Sequence, residues 1–262
     1  MSEIQSSYRQ IMKATSIFGG VQVFNILISI IKSKFVAVLL GPEGMGIMGL
    51  LTSTTNLISR ATNFGIGTSA VKDVAAAHGT GDENRVGNTV TLVSRLVWIT
   101  GMFGFGITVV LSPWLSKLTF GNNDYTLAFV WISITLLFEQ ISNGQLVVLQ
   151  GLRKLNYLAK ANLYGSFFGL IVTVPLYYFL SFDGIVPAII ATGLITLLMS
   201  WIFSRKLEIK ETVLSLNQTF QQGGDMVRLG FMISLSGLLS VGASYAIRIF
   251  INRTGGDRKS VV

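Results

Sequence analysis

Seven apolar stretches, each about as long as one bilayer crossing, constrain this chain more than any other feature. They run approximately from Ile11 to Lys32, Met45 to Gly67, Asn88 to Leu111, Thr126 to Gln150, Leu158 to Leu180, Ile185 to Phe203, and Leu229 to Ile251. A helix rises about 1.5 Å per residue and the hydrocarbon core is about 30 Å thick, so about 20 apolar residues cross it. Strand-period alternation is absent, and the runs exceed the roughly 9–11 residues of a barrel strand. Composition agrees: 50% of residues are hydrophobic and 12% charged, against about 25% charged in soluble proteins. The expected fold is an all-α, polytopic membrane protein.

Short polar segments separate the stretches. Gly41-Pro42-Glu43-Gly44, Gly121-Asn122-Asn123-Asp124 and Ser181-Phe182-Asp183-Gly184 read as turns. Gly79 to Asn88 reads as a polar loop, and Ser204 to Asp225 as the longest linker. Pro175 and Pro187 fall inside expected helices, where kinks are tolerated by neighbouring helices. The first stretch is a poor signal peptide, because Gln22 and Asn25 interrupt it and no small-residue cleavage site follows.

Charge position sets the expected topology. Lys and Arg collect on cytoplasmic loops. With the N-terminus inside, eleven basic residues, among them Lys72, Arg85, Arg153, Lys154 and Arg205, flank the inner ends, against Lys117 and Arg253 outside. Topology thus explains most of the net charge of +8, and no nucleic-acid partner is needed. The chain has no cysteine and one histidine, His78. That removes thiol nucleophiles, cysteine–histidine metal sites and most histidine catalysis. No catalytic residue, metal or cofactor is expected.

Lys32, Lys34, Arg60, Arg95, Arg248 and Glu139 lie in or near the spans. A charge at the centre of an inserted helix costs roughly 2.5–3.5 kcal/mol on insertion scales. Such groups face a wet interior, pair, or snorkel to an interface. Snorkelling is open to Lys32, Lys34, Arg95 and Arg248; Arg60 and Glu139 sit deeper. Polar residues recur at helical spacing: Gln22, Asn25, Ser29 and Lys32; Thr52, Asn56, Arg60 and Asn63; Glu139, Gln140 and Asn143; Ser240, Ser244 and Arg248. Such stripes are either helix–helix glue or the walls of a cavity. Three of them end on or carry a base, which favours a cationic cavity for an anionic, hydroxyl-rich ligand, with Lys32, Lys34, Arg60, Arg95, Arg248, Asn25 and Asn56 as candidate contacts. Glu139 is a candidate coupling site or one half of a structural ion pair.

Four elements carry a family resemblance. They are Leu40-Gly41-Pro42-Glu43-Gly44-Met45-Gly46 with Lys34 and Ala37 before it; Asn63-Phe64-Gly65-Ile66-Gly67 followed by Val71-Lys72-Asp73-Val74-Ala75; Phe120 to Tyr125; and Gln150-Gly151-Leu152-Arg153. In order and spacing they resemble the N-terminal half of the Wzx-like O-antigen and enterobacterial-common-antigen flippases, of the multidrug/oligosaccharidyl-lipid/polysaccharide exporter superfamily. The resemblance implies a bacterial inner-membrane translocase for undecaprenyl-diphosphate-linked oligosaccharide, with two six-helix lobes, a central cationic cavity and alternating access. It implies membrane lipids as surroundings, and a glycan polymerase and chain-length proteins of lipopolysaccharide assembly as partners. Lys34, Arg248 and Lys72 sit where such flippases often carry bases.

The expected organisation follows. Residues 1–210 form a six-helix lobe with a cytoplasmic N-terminus, and residues 211–256 a linker and the first helix of a second lobe. Asp257-Arg258-Lys259-Ser260-Val261-Val262 reads as a translated sequencing-library adapter, so residues 257–262 are expected to be a non-native tail on a fragment. Two other functions compete. A multidrug or small-molecule antiporter of the same superfamily would favour acidic residues in the cavity. A membrane polymerase or glycosyltransferase would usually show a large extramembrane loop or a paired-carboxylate motif; the acidic pairs near loops, Asp82-Glu83 and Glu208/Glu211, both sit in solvated polar segments.

Overall fold

Without water, a lipid-embedded backbone satisfies its N–H and C=O groups within a helix. The computed structural model has seven α-helices and no strand among its described residues, which are 2–209, 212 and 216–254. The helices are α1 (Ser2–Thr62), α2 (Ile66–Gly79), α3 (Glu83–Phe120), α4 (Thr126–Gly151), α5 (Leu155–Leu180), α6 (Ile185–Ser204) and α7 (Leu216–Thr254). Lys210, Glu211 and the Asp257–Val262 tail lie outside the described residues, as do the side chains of Arg9, Lys13 and Arg253.

Among the described residues four stretches are long and apolar enough to cross a membrane: Gly19–Thr62 (44 residues), Glu83–Phe120 (38), Thr126–Gly151 (26) and Leu155–Ser204 (50). Gly223–Leu235 and Leu239–Ile251, bent by 47°, form a fifth if taken together. The first and fourth have about twice the length one crossing needs, and each is broken near its middle. In α1 the break is one residue, Gly41, at φ 64° and ψ −171°, not the four-residue turn read from the sequence. Glycine takes this left-handed conformation without a Cβ clash, and Pro42 suits the start of the helix that follows. Between α5 and α6 the break is a 3-10 turn, Ser181–Gly184.

Small residues set the register of α5 on α6. A Cβ on Gly165 would lie 3.7 Å from Thr196 Cα, and one on Gly169 would lie 3.5 Å from Thr192 Cγ2. Four residues forward on α5 match four backward on α6, so the two helices form an antiparallel hairpin. Pro187 falls in the first turn of α6, where its missing N–H would have no helical partner.

The connections segregate to two ends. Gly44 approaches Phe182 Cε1 to 3.3 Å from a built Cβ. Burial, then the charges of Glu43 and Asp124, push the Tyr125 hydroxyl pKa up. The Gly41 break, the α3–α4 turn and the α5–α6 turn therefore share one end. At the other end His78, Gly81, Leu152, Lys154 and Lys206 border one cavity, which joins the α2–α3, α4–α5 and post-α6 segments. The basic residues Lys72, Arg85, Arg153, Lys154, Arg205 and Lys206 belong to the segments of this second end.

Three apolar clusters hold the helices together, the smallest formed by Leu149, Leu158, Ala161 and Phe203. Val36, Leu51, Phe129, Ile132, Leu136 and Tyr177 are buried near the first end, and Val74, Leu92, Val93, Val97, Val148 and Met226 near the second. Large apolar side chains such as Phe24, Val38, Val110, Trp131 and Phe179 remain exposed on the outside, as expected of a surface solvated by lipid.

The expected polar loop from Gly79 to Asn88 is only Thr80–Asp82, because Asp82 caps α3 by accepting from the amides of Asn84 (2.9 Å) and Arg85 (3.4 Å). The expected linker to Asp225 is partly helix: α7 begins at Leu216 and packs on α1, α2 and α3. Burial pushes the Asp73 carboxyl pKa up, Lys72 pulls it down, and Asp225 on α7 pushes it up again. A carboxyl with a raised folded pKa subtracts stability once pH exceeds that pKa, and subtracts nothing below the unfolded value. Asp73→Asn is therefore expected to raise the melting temperature at pH 7, with the gain vanishing below about pH 4. An equal gain at both pH values would contradict this account.

Candidate functional site

The half of α1 after Gly41 carries Thr52, Thr55, Asn56, Ser59 and Arg60 at helical spacing, so they share one face, and Asn63 follows just past the helix end. That face, with parts of α4, α5 and α6, encloses about 700 Å3. Lys32 enters from the half before the break. A continuous helix would separate Lys32 from Thr52 by about 30 Å; the break at Gly41 lets both border one cavity. From α4 come Thr135, Glu139, Ser142 and Asn143, and from α6 come Thr192 and Thr196. Tyr177 lies at the border, donating its hydroxyl to Met48 Sδ at 3.6 Å.

The lining divides into two kinds of group. Most hydroxyls donate to their own helix: Thr52 to Met48 O (2.7 Å), Thr135 to Ile132 O (2.6 Å), Thr192 to Ala188 O (2.8 Å), Thr196 to Thr192 O (2.9 Å), and Thr55 to Leu51 O. Their protons are committed and their oxygens still accept. The longer side chains of Lys32, Asn56, Arg60, Glu139 and Asn143 supply the charges and amides. The Ser59 hydroxyl hydrogen-bonds the Glu139 carboxylate, and the Arg60 charge acts on it. Asn63 also accepts from the Gly65 amide at 2.9 Å, which fixes the turn where the α1 face ends.

Of the residues singled out from sequence, Lys32, Asn56, Arg60 and Glu139 border this cavity and four others do not. Lys34 is exposed on α1. Arg95 Nη1 donates to Thr219 Oγ1 at 3.3 Å, between α3 and α7. Arg248 Nη1 donates to Gly49 O at 3.1 Å, between α7 and α1. Asn25 Oδ1 is buried with no hydrogen-bond partner among the described residues. The α4 stripe splits: Glu139 and Asn143 face the cavity, whereas Gln140 is buried against Gly101 of α3. Thr192 and Thr196 were not singled out. Their spacing of four, continued by Ser200, was the available signal within an otherwise apolar helix.

Chemically the cavity offers two cations, three side-chain amides, many hydroxyl oxygens and one carboxylate. That set suits an anionic ligand with hydroxyl groups. Among the described residues no group of three His, Asp or Glu could hold a metal ion. No curated protein and no solved structure matches the chain significantly. The polysaccharide biosynthesis protein family profile matches residues 11–259, nearly the whole length, and with its long apolar helices the chain is a membrane protein that belongs to this family.

Proposed function

We propose that the chain is a translocase for an undecaprenyl-diphosphate-linked oligosaccharide, such as an O-antigen repeat, acting by alternating access in the bacterial inner membrane. The observation that carries this reading is the 700 Å3 cavity in which Lys32 and Arg60 stand among amides and hydroxyls. Guanidinium and ammonium groups bind phosphate oxygens by charge-assisted hydrogen bonds, and the amides and hydroxyls suit sugars. The two long broken stretches each cross twice on this reading, which makes six crossings before α7. The basic end is then cytoplasmic by the positive-inside rule, and the N-terminus lies there too. Residues 1–210 form the first lobe, and α7 begins a second. Glu139, beside Arg60, is the group that exchanges a proton or cation during transport. A glycan polymerase and chain-length proteins take up the product on the far side.

A strain lacking the gene, complemented or not with the intact gene, tests the proposal. The uncomplemented strain is expected to accumulate lipid-linked glycan on the cytoplasmic face. Normal glycan display together with altered drug tolerance would replace the proposal with a multidrug antiporter.

A further inference from the structure

A second cavity, of about 360 Å3, lies at the basic end and is bordered by Arg153, Lys154, Leu155, Asn156, Tyr157 and Lys160. No carboxylate is among these residues. A neighbouring cavity of about 510 Å3 shares Lys154 and Tyr157, and Glu83 and Glu208 border only that larger one. Topology explains why bases gather at this end; it does not explain three of them around one cavity without an acid.

The surroundings are ordered by polarity along α5. Lys160, Tyr164, Phe167, Phe168 and Ile171 recur at spacings of three and four, so they share a face. The last four are exposed. Tyr164 stacks on Phe203 with centroids 5.9 Å apart, and Tyr157 lies 6.4 Å from the same ring. Lys206 Nζ sits 5.0 Å over Phe203, and the Arg205 guanidinium 4.1 Å over Trp201. Cations come first, then an aromatic belt, then an apolar slope. This is the sequence of environments along a phospholipid from headgroup to acyl chain.

Arg153 adds a backbone observation. Its amide donates to Gln150 O (3.0 Å) and that of Lys154 to Leu149 O (2.9 Å), the pattern of a helix end that glycine usually occupies at the left-handed position. Here the left-handed residue is arginine, at φ 57°. The turn itself gains nothing from that side chain.

We propose that this cavity holds the phosphate headgroup of an anionic membrane phospholipid, with an acyl chain along the Tyr164–Ile171 face. The site is separate from the translocation cavity and does not depend on what that cavity carries. The test is native mass spectrometry of the whole chain in detergent, titrated with dioleoyl-phosphatidylglycerol, dioleoyl-phosphatidylcholine or inorganic phosphate. The wild type is expected to bind phosphatidylglycerol at least tenfold more tightly than phosphatidylcholine. Arg153→Gly and Lys160→Ala are each expected to weaken that binding by about fivefold, the effect of one base near an anionic lipid surface. Lys117→Ala, at the opposite end, is expected to leave it unchanged. Arg153→Gly relaxes the backbone, so its melting temperature should not fall and loss of binding is not unfolding. Phosphatidylglycerol preference that survives Arg153→Gly and Lys160→Ala combined in one chain would overturn the proposal. So would inorganic phosphate binding as tightly as the lipid, which would assign the cavity to a soluble anion.

Discussion

Arg60→Ala is expected to lower glycan export at least tenfold without lowering the amount of protein in the membrane. Arg60 borders the cavity and acts on Glu139. A hydrogen bond to a charged group contributes about 1.5–3 kcal/mol, which corresponds to roughly 10- to 150-fold. The measurement is the ratio of lipid-linked glycan retained inside to glycan displayed outside, with Lys117→Ala as the reference. Arg60→Lys keeps the charge but loses the planar fork, so it should fall between the two. Unchanged export in Arg60→Ala would remove the cationic-cavity reading.

Gly65→Ala is expected to produce the largest loss of stability of any single methyl addition considered for this chain. Gly65 lies at φ 66°, where a side chain costs roughly 1–2 kcal/mol. Its Cβ would also stand 1.9 Å from the carbonyl oxygen of Gly230 on α7, and backbone cannot rotate away as a flexible side chain does. The approach is reciprocal, since a Cβ on Gly230 would lie 2.6 Å from Phe64 O. The α1–α2 turn and α7 therefore meet through two glycines, and Gly65→Ala must push them apart. Thermal unfolding in detergent should show a fall in melting temperature and earlier proteolysis of α7. Gly46→Ala provides the contrast. That residue is helical with nothing within 4 Å of its Cβ, so alanine there should raise stability by about 0.5–1 kcal/mol. Shifts of the same sign in both variants would refute the role assigned to the Gly65–Gly230 contact.

The helical state, the membrane and the clustering of bases at one end were legible in the residues. Each depends on a local quantity: the length of an apolar run, its period, or the sign of nearby charge. Gly165 and Gly169, small residues four apart on one helix, carry the local mark of a close helix contact, but only the fold shows that α6 makes it. Details of the connections were less legible. Gly41 alone breaks α1, Gly65 turns the chain into α2, and α7 starts well before its apolar run.

Sequence by itself determined which side chains share a face of a helix. Thr52, Asn56, Arg60 and Asn63 were grouped on spacing, and they do line one wall. Asn25 and Lys32 were grouped by the same argument, yet only Lys32 borders the cavity, and the stripe ending in Arg248 meets the backbone of Gly49. Only the tertiary structure decided which faces turn towards one another. A helical period fixes angles within a helix and says nothing of its rotation against neighbours. That rotation is set by contacts between distant segments: Gly65 on Gly230, Gly165 on Thr196, Gln140 against Gly101.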